Sequence, residues 1–482
     1  MVPIRGCSMM ETVNHFLETI SGWVWGLPLV ALLLGTGVFL TFRLLFIQLR
    51  GFPHGVGIMT GRYDDPAHKG QLTHFQALSA ALSATIGIGN IGGVATALYF
   101  GGPGAIFWMW VSAFFGMAIK YTSCTLAITH RKVEKDGNIR GGPMYFIEMG
   151  LPRYARPLAY MFALCTAVAA FGIGNMVQSN TVAHSVVDAF GVSTADEGMW
   201  RWVIGIIISV CVGMVILGGI KRIGQVASYL VPFMSVLYIL TAIVILLLNL
   251  EHILPSFRMI FYHAFNPTAA TGGFAGATVW LTISWGLKRG LFSNESGLGS
   301  APMAHSTAKV EQPVREGLVA MLGPFIDTIL ICTMTALVIL IAGKWDSGLN
   351  GAPMTMAAFN DALPLYGRWL VVVAILLFAF STVVTWSYYG EKGIEYLFGS
   401  GAKKPYLWVY LLFTLIGARV DLQAAWTFAD IANGLMAVPN LVALLALSGV
   451  IAGYTRKYFK EKSRGMHRPY NDTPRQRPAQ AP

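Results

Sequence analysis

The stretch ATIGIGNIGGVA, residues 84–95, sets Gly87, Gly89, Gly92, Gly93 and Asn90 inside an otherwise apolar run. Glycine makes a helix break sterically cheap. A broken helix bares N–H groups at the start of its second half, suited to a carboxylate, and C=O groups at the end of its first half, suited to a small cation. One such break could therefore hold an amino acid's carboxylate and Na⁺ side by side. Asn90 adds an amide able to reach an ion or substrate, or to hydrogen-bond a neighbouring helix. Gly89 and Gly93 also have the Gly-x-x-x-Gly spacing of closely packed membrane helices, so the glycines alone leave both readings open.

A second interrupted stretch shifts the balance toward a site. In TISWGLKRGLFSNESG, residues 282–297, Ser284, Trp285 and Gly286 stand near the expected break, followed by Lys288, Arg289 and Glu295. Charges this deep are costly unless paired or solvated. They read as a structural network on the cytoplasmic side, with Lys120, Arg289 and Glu295 as members, rather than as substrate contacts. GPFIDTIL puts Asp327 near the middle of another span, where it could bind a second or coupling ion, take a proton, or pair with Lys120 or Arg289. LLFAFSTVVTWSYYG sets Ser381 and Thr382 side by side. Hard cations prefer oxygen ligands, although most membrane hydroxyls bond back to their own helix. Asn175 and Gln178, three apart, share a helical face and could line one cavity.

These residues need apolar helices to position them. The chain has 482 residues, 55% hydrophobic and 12% charged, with mean hydropathy +0.58. A soluble protein carries about 25% charged residues, so this is an all-α polytopic membrane protein. Eleven spans are expected at 22–48, 74–98, 104–130, 157–190, 201–219, 223–250, 276–303, 314–343, 369–390, 405–419 and 429–454. With the N-terminus outside, the inner loops, tail and adjoining span ends hold 25 of the 34 Lys and Arg, and the outer face holds six. That asymmetry places the C-terminus in the cytoplasm. It also makes the net charge of +11 topological and excludes a nucleic-acid footprint as its cause. The tail from Arg456 is polar, basic and proline-containing, which predicts disorder and contact with anionic lipid.

Leaving out the first span, spans 2–6 and 7–11 form two halves of opposite orientation, with glycine-interrupted helices at the head of each. Paired broken helices in an inverted repeat build a central binding site. The tetrapeptide GIGN recurs at 172–175 in span 4, outside that repeat. The five cysteines are scattered and suggest neither disulfide framework nor metal cluster. No His-Glu-x-x-His, serine-elbow or Walker A motif is present, which argues against a membrane enzyme or ATP drive. An amino-acid or ion channel, which also uses broken helices and hydroxyl rings, stays open as another class.

GGPGAIFWMWVSAFFGM (residues 101–117), GGPMYFIEMG and KRGLFSNESGLGSAPMAHSTA resemble signature blocks of the alanine/glycine:cation symporters, also called sodium:alanine symporters. The similarity runs through nearly all the chain except the tail. The resemblance implies a leucine-transporter-type fold with one extra N-terminal helix, and cotransport of a small amino acid, alanine or glycine, with Na⁺ as coupling ion and no other cofactor. Some members prefer glutamine, and H⁺ is an alternative coupling ion. On this resemblance the chain divides into an N-terminal segment 1–21, a transporter domain 22–454 (extra helix 22–48, first repeat 74–250, second repeat 276–454) and a tail 455–482. The sodium site would use backbone carbonyls near Ser83 and Ile86 with the hydroxyls of Ser381 and Thr382. Substrate would lie against Gly87, Gly89, Asn90, Gln178 and the Ser284–Gly286 break. Trp285 would then cap a cavity with little volume beyond a methyl group. A prokaryotic inner membrane is the implied location.

Overall fold

The computed structural model describes residues 9–466 apart from Asp136, residues 267–278 and Asp421. Arg5, Cys7, the first three residues of the seventh span and the tail beyond Met466 therefore lie outside the described residues. Within them the chain is helical, save for a hairpin pairing Lys132–Val133 with Ile139–Arg140. Eight helices are long and apolar enough to cross a membrane, and a bent pair, His74–Thr85 with Gly89–Gly101, makes a ninth. The other two expected spans are shorter: Val279–Asn294 has 16 residues and Lys403–Gly417 has 15.

Met9–Val24 is helical and leads into Leu27–Arg43. At the other end Ser448–Ser463 is one helix, so the disorder expected from Arg456 does not begin there. Its buried Ile451, Thr455 and Tyr458 recur at helical spacing, and Thr455 and Tyr458 hydrogen-bond Tyr121 and His54 at 2.7 and 2.8 Å. That inward stripe outweighs the basic outer face.

Span 2 starts at a capping box: Thr73 Oγ1 accepts from Gln76 N–H at 3.2 Å, and Gln76 Oε1 accepts from Thr73 N–H at 3.1 Å. The helical ladder ends at Ile86, whose ψ of 88° is not helical. The chain restarts as a π-helical turn, Gly89–Gly93, and the two halves meet at 54°. Such unwinding is tolerable at membrane depth only inside protein, and every residue from Leu78 to Leu98 is buried.

Span 7 breaks in a different place from the one expected. The helix runs unbroken through Ser284, Trp285 and Gly286 to Asn294, and opens only at Glu295–Ser300 before Ala301–His305. Gly286 serves packing: a Cβ there would lie 2.5 Å from the Ala105 carbonyl oxygen and 2.6 Å from Trp108 Cβ of span 3. The true opening has Gly297 at φ 100°, Gly299 at φ 87° and Glu295 itself at φ 54°, the left-handed region that only glycine adopts freely.

Candidate functional site

The span 2 break is held by side chains from other turns. Gly87 N–H donates to Asn90 Oδ1 at 2.9 Å, and Ile88 N–H donates to Gln178 Oε1 at 3.3 Å. Gln178 reaches this far because GIGN at 172–175 begins a π-helical turn, Gly172–Met176; its own Nε2 returns to Ile173 O at 2.9 Å. The widened turn also parts it from Asn175, which donates instead to Tyr410 O at 2.7 Å. These two do not line one cavity. Both occurrences of GIGN therefore lead into π-helical turns, the kind of distortion that concentrates at functional sites.

Below the break lies a group of neutral oxygens. Ser83 Oγ donates to Ser381 O at 2.8 Å and Ser381 Oγ reaches Ser83 O at 3.2 Å. Thr385 Oγ1, one turn along the same face, donates to Ser83 Oγ at 2.9 Å. Thr382 stands against Gly87: a Cβ there would come 2.6 Å from Thr382 Oγ1. Ser381 and Thr382 also bond back to Phe378 O, each at 2.9 Å. Ser83, Ile86, Gly87, Ser381 and Thr382 are thus neighbours, though the two hydroxyls do bond to their own helix as well.

Beside the break a charged group gathers. Asp327 lies in a third π-helical stretch, Phe325–Cys332. It accepts from Asn90 Nδ2 at 2.7 Å, Ser293 Oγ at 2.8 Å and Thr328 Oγ1 at 2.7 Å. Asn294 Nδ2 extends the set to Thr328 Oγ1 at 3.1 Å, and Cys332 Sγ lies 3.2 Å from Ser293 Oγ. Gly89 makes the approach of span 7 possible, since a Cβ would sit 3.2 Å from Ser293 Cα. Among the described residues neither partner foreseen for Asp327 makes an ion pair with it: Lys120 is buried without one, and Arg289 goes to Asp430.

The expected charge network divides in two. Arg289 and Lys288 share Asp430 of span 11, at 3.3 and 2.7 Å, and the Arg289 guanidinium lies 4.8 Å from the Trp426 ring centre. Glu295 instead accepts from Trp386 Nε1 at 2.7 Å and Ser300 Oγ at 2.5 Å. Arg289 does not join Glu295; it lines a vestibule of about 1130 Å³ that opens among the span 4–5 and span 8–9 connections and extends to Ile88 and Gly92. Trp285 lines the same vestibule with Ser284, stacked on Phe100 at 4.4 Å. At about 1.5 Å per residue, Trp285 stands roughly 12 Å along its helix from Ser293. The structure brings Ser293 to the span 2 break, and leaves Ser284, Trp285 and Gly286 above it.

Ser293, Asn294, Thr328, Cys332 and Thr385 escaped sequence reasoning. Thr385 carried a signal, being four residues after Ser381, and Ser293–Asn294 were a polar pair within the quoted span 7 motif. Asp430 gave none without knowledge of which helices touch.

Residues 10–472 match the sodium:alanine symporter family. Over 457 residues the chain is 48% identical to the sodium/alanine symporter AgcS of Methanococcus maripaludis, covering 94% of this chain and 97% of that protein. It is 35% identical over 462 residues to a Bacillus subtilis protein named a probable sodium/glutamine symporter, GlnT, covering 95% and 93%. Among solved structures, MhsT in complex with L-phenylalanine matches with a TM-score of 0.57 at 14% identity, over 79% of this chain and 90% of that one. That likeness is one of fold, the leucine-transporter type.

Proposed function

The chain belongs to the sodium:alanine symporter family, a family of multi-pass membrane transporters rather than enzymes, and on that premise we propose that it imports alanine or glycine coupled to Na⁺. The observation that carries this reading is the pair of unwound amides at Gly87 and Ile88, each held by a side-chain amide oxygen. A substrate carboxylate can take both places. A bond from N–H to an ionised acceptor is about twice as strong as one to a neutral amide, so the exchange favours the ligand. Asn90 Oδ1, once displaced, is free to face a cation beside Asp327, Ser293 and Thr328. Substrate and that cation then bind interdependently, each raising affinity for the other.

A second cation fits the neutral oxygens: the Ser83 and Ile86 carbonyls with the Ser381 and Thr382 hydroxyls, and Thr385 beside them. Gly89 lets span 7 close on the substrate, and Gln178 completes its carboxylate end. The Trp285–Phe100 stack, with Ser284 and Gly286 behind it, closes the vestibule over a space suited to a methyl group. Two inverted five-span halves rock about this site in alternating access, and lipid surrounds them. With the basic loops inside, the vestibule faces outward, the N-terminus lies outside and the C-terminus in the cytoplasm of a prokaryotic inner membrane.

Proteoliposomes given labelled alanine, glycine or glutamine, with and without a sodium gradient, test this. Uphill uptake of alanine or glycine that requires Na⁺ is expected. Sodium-independent equilibration would mark a channel, and accumulation of glutamine alone would overturn the substrate assignment.

A further inference from the structure

The vestibule opens among the span 4–5 and span 8–9 connections, and at the opposite end of span 2 a specific seam closes the chain on itself. It joins residues 69–74, which lead into span 2, to residues 305–316, which link spans 7 and 8. Gln71 and Leu72 N–H both donate to Thr307 O, at 2.7 and 3.2 Å, and Lys309 N–H donates to Leu72 O at 2.7 Å. Arg131, just past span 3, straddles the seam with no carboxylate: Nη1 donates to Ser306 O at 2.8 Å and Ala308 O at 2.6 Å, and Nη2 to Lys69 O at 2.9 Å and Val310 O at 2.8 Å. Deeper in, Glu316 is clamped between two imidazoles, by Oε2 to His74 Nδ1 and by Oε1 to His305 Nδ1 at 2.5 Å. His74 heads span 2, while His305 ends the second half of span 7.

These bonds tie the segment ahead of span 2 to the span 7–8 link. Arg131 has three of its four carbonyls on residues 306–310 and one, Lys69 O, on the other side. Its position is therefore tied to the span 7–8 link, and parting costs it a single partner. The same holds for Glu316, which keeps His305 when His74 leaves. Each residue can hold the seam closed and stay hydrogen-bonded when it opens, which is the requirement for a reversible latch.

Resting on the alternating-access reading above, in which this seam is the inner gate, we propose that Arg131 and Glu316 are positioning residues that set the seam's closed population. Residues 69–74 part from residues 305–316 when the gate opens, and both side chains act on the seam rather than on substrate or ion.

Hydrogen–deuterium exchange on the full chain in detergent, comparing the unaltered protein with Arg131→Lys and, separately, Glu316→Gln, tests the proposal. A lysine cannot span four carbonyls, and a glutamine amide removes the charge that strengthens both imidazole bonds. Either variant is expected to speed exchange in peptides covering 69–74 and 306–310 by about tenfold, and to slow it at 184–192 and 350–356, because a population shifted toward the open seam closes the vestibule. In proteoliposomes the external sodium requirement rises severalfold while maximal uptake is retained. Unchanged protection at the seam, or faster exchange on both faces together, overturns the proposal; the second pattern is plain destabilisation. If one variant does not fold, the other decides. Exchange needs no substrate, so failed sodium-driven alanine uptake by the unaltered chain would sink the functional reading while leaving the seam measurement to stand or fall alone.

Discussion

The two interruptions at the centre of the molecule are built on opposite principles. In span 2 glycines remove side chains, and the bared amides of Gly87 and Ile88 are held by neutral, displaceable oxygens from Asn90 and Gln178. In span 7 the opening is pinned: Glu295 is fixed by Trp386 and Ser300, and Gly297 O accepts from Asn440 Nδ2 at 2.8 Å. One break is held by neutral side-chain amides; the other is pinned through a carboxylate and a backbone carbonyl. A glycine run in a membrane helix therefore indicates a site only where its backbone is not already claimed by a neighbouring helix, as Gly286 is by span 3.

Substitutions can break or sharpen this contrast. The largest effect is expected at Asp327, whose carboxylate joins the two breaks through Asn90 and Ser293. Asp327→Asn leaves the packing and removes the charge; sodium-driven uptake should fall at least about 100-fold, the equivalent of about 3 kcal/mol. Near-normal uptake would mean that the two breaks act separately. Next is Gly87→Ala, whose methyl would crowd Thr382 Oγ1 at 2.6 Å. Overpacking of about 1–3 kcal/mol should cut alanine uptake roughly 10- to 100-fold in a protein that still elutes as a folded species. If Gly286→Ala instead produced that loss while Gly87→Ala produced only instability, the contrast between site glycine and packing glycine would be inverted.

Smaller shifts refine the picture. Replacing Ser381 and Thr382 together by alanine should raise the sodium concentration for half-maximal uptake about tenfold with little change in substrate preference; an unchanged sodium dependence removes both hydroxyls from the cradle. Trp285→Ala should narrow the preference for alanine over leucine by about fivefold, equivalent to about 1 kcal/mol, the low end of the range for one methylene in a closed pocket. Competition between the two labelled amino acids measures it, and an unaltered ratio would place the specificity below the vestibule.

Much of the site was legible because polar groups stand out against an apolar helix. Gly87, Gly89, Asn90, Ser381, Thr382 and Asp327 were noticed for that reason, and the structure sets them within one neighbourhood. The leucine-transporter-type fold was legible through long motifs. What stayed hidden depends on contacts between distant segments. Glycine density could not tell that Gly286 faces the Ala105 carbonyl, so the second break was expected about ten residues too early. Arg289 was grouped with Lys120 and Glu295, whereas its partner Asp430 lies 141 residues away along the chain. The π-helical turns at Gly172–Met176 and Phe325–Cys332 changed which faces point inward, so regular helical spacing paired Asn175 with Gln178 wrongly.

The amide oxygens of Asn90 and Gln178 meet the Gly87 and Ile88 N–H groups, which would otherwise be bare inside the bundle. A buried donor without an acceptor costs about 1–3 kcal/mol. A distorted turn that recruits its own acceptors from two other turns is therefore self-supporting, and loosening either side chain should soften the kink before it unsettles the helices around it.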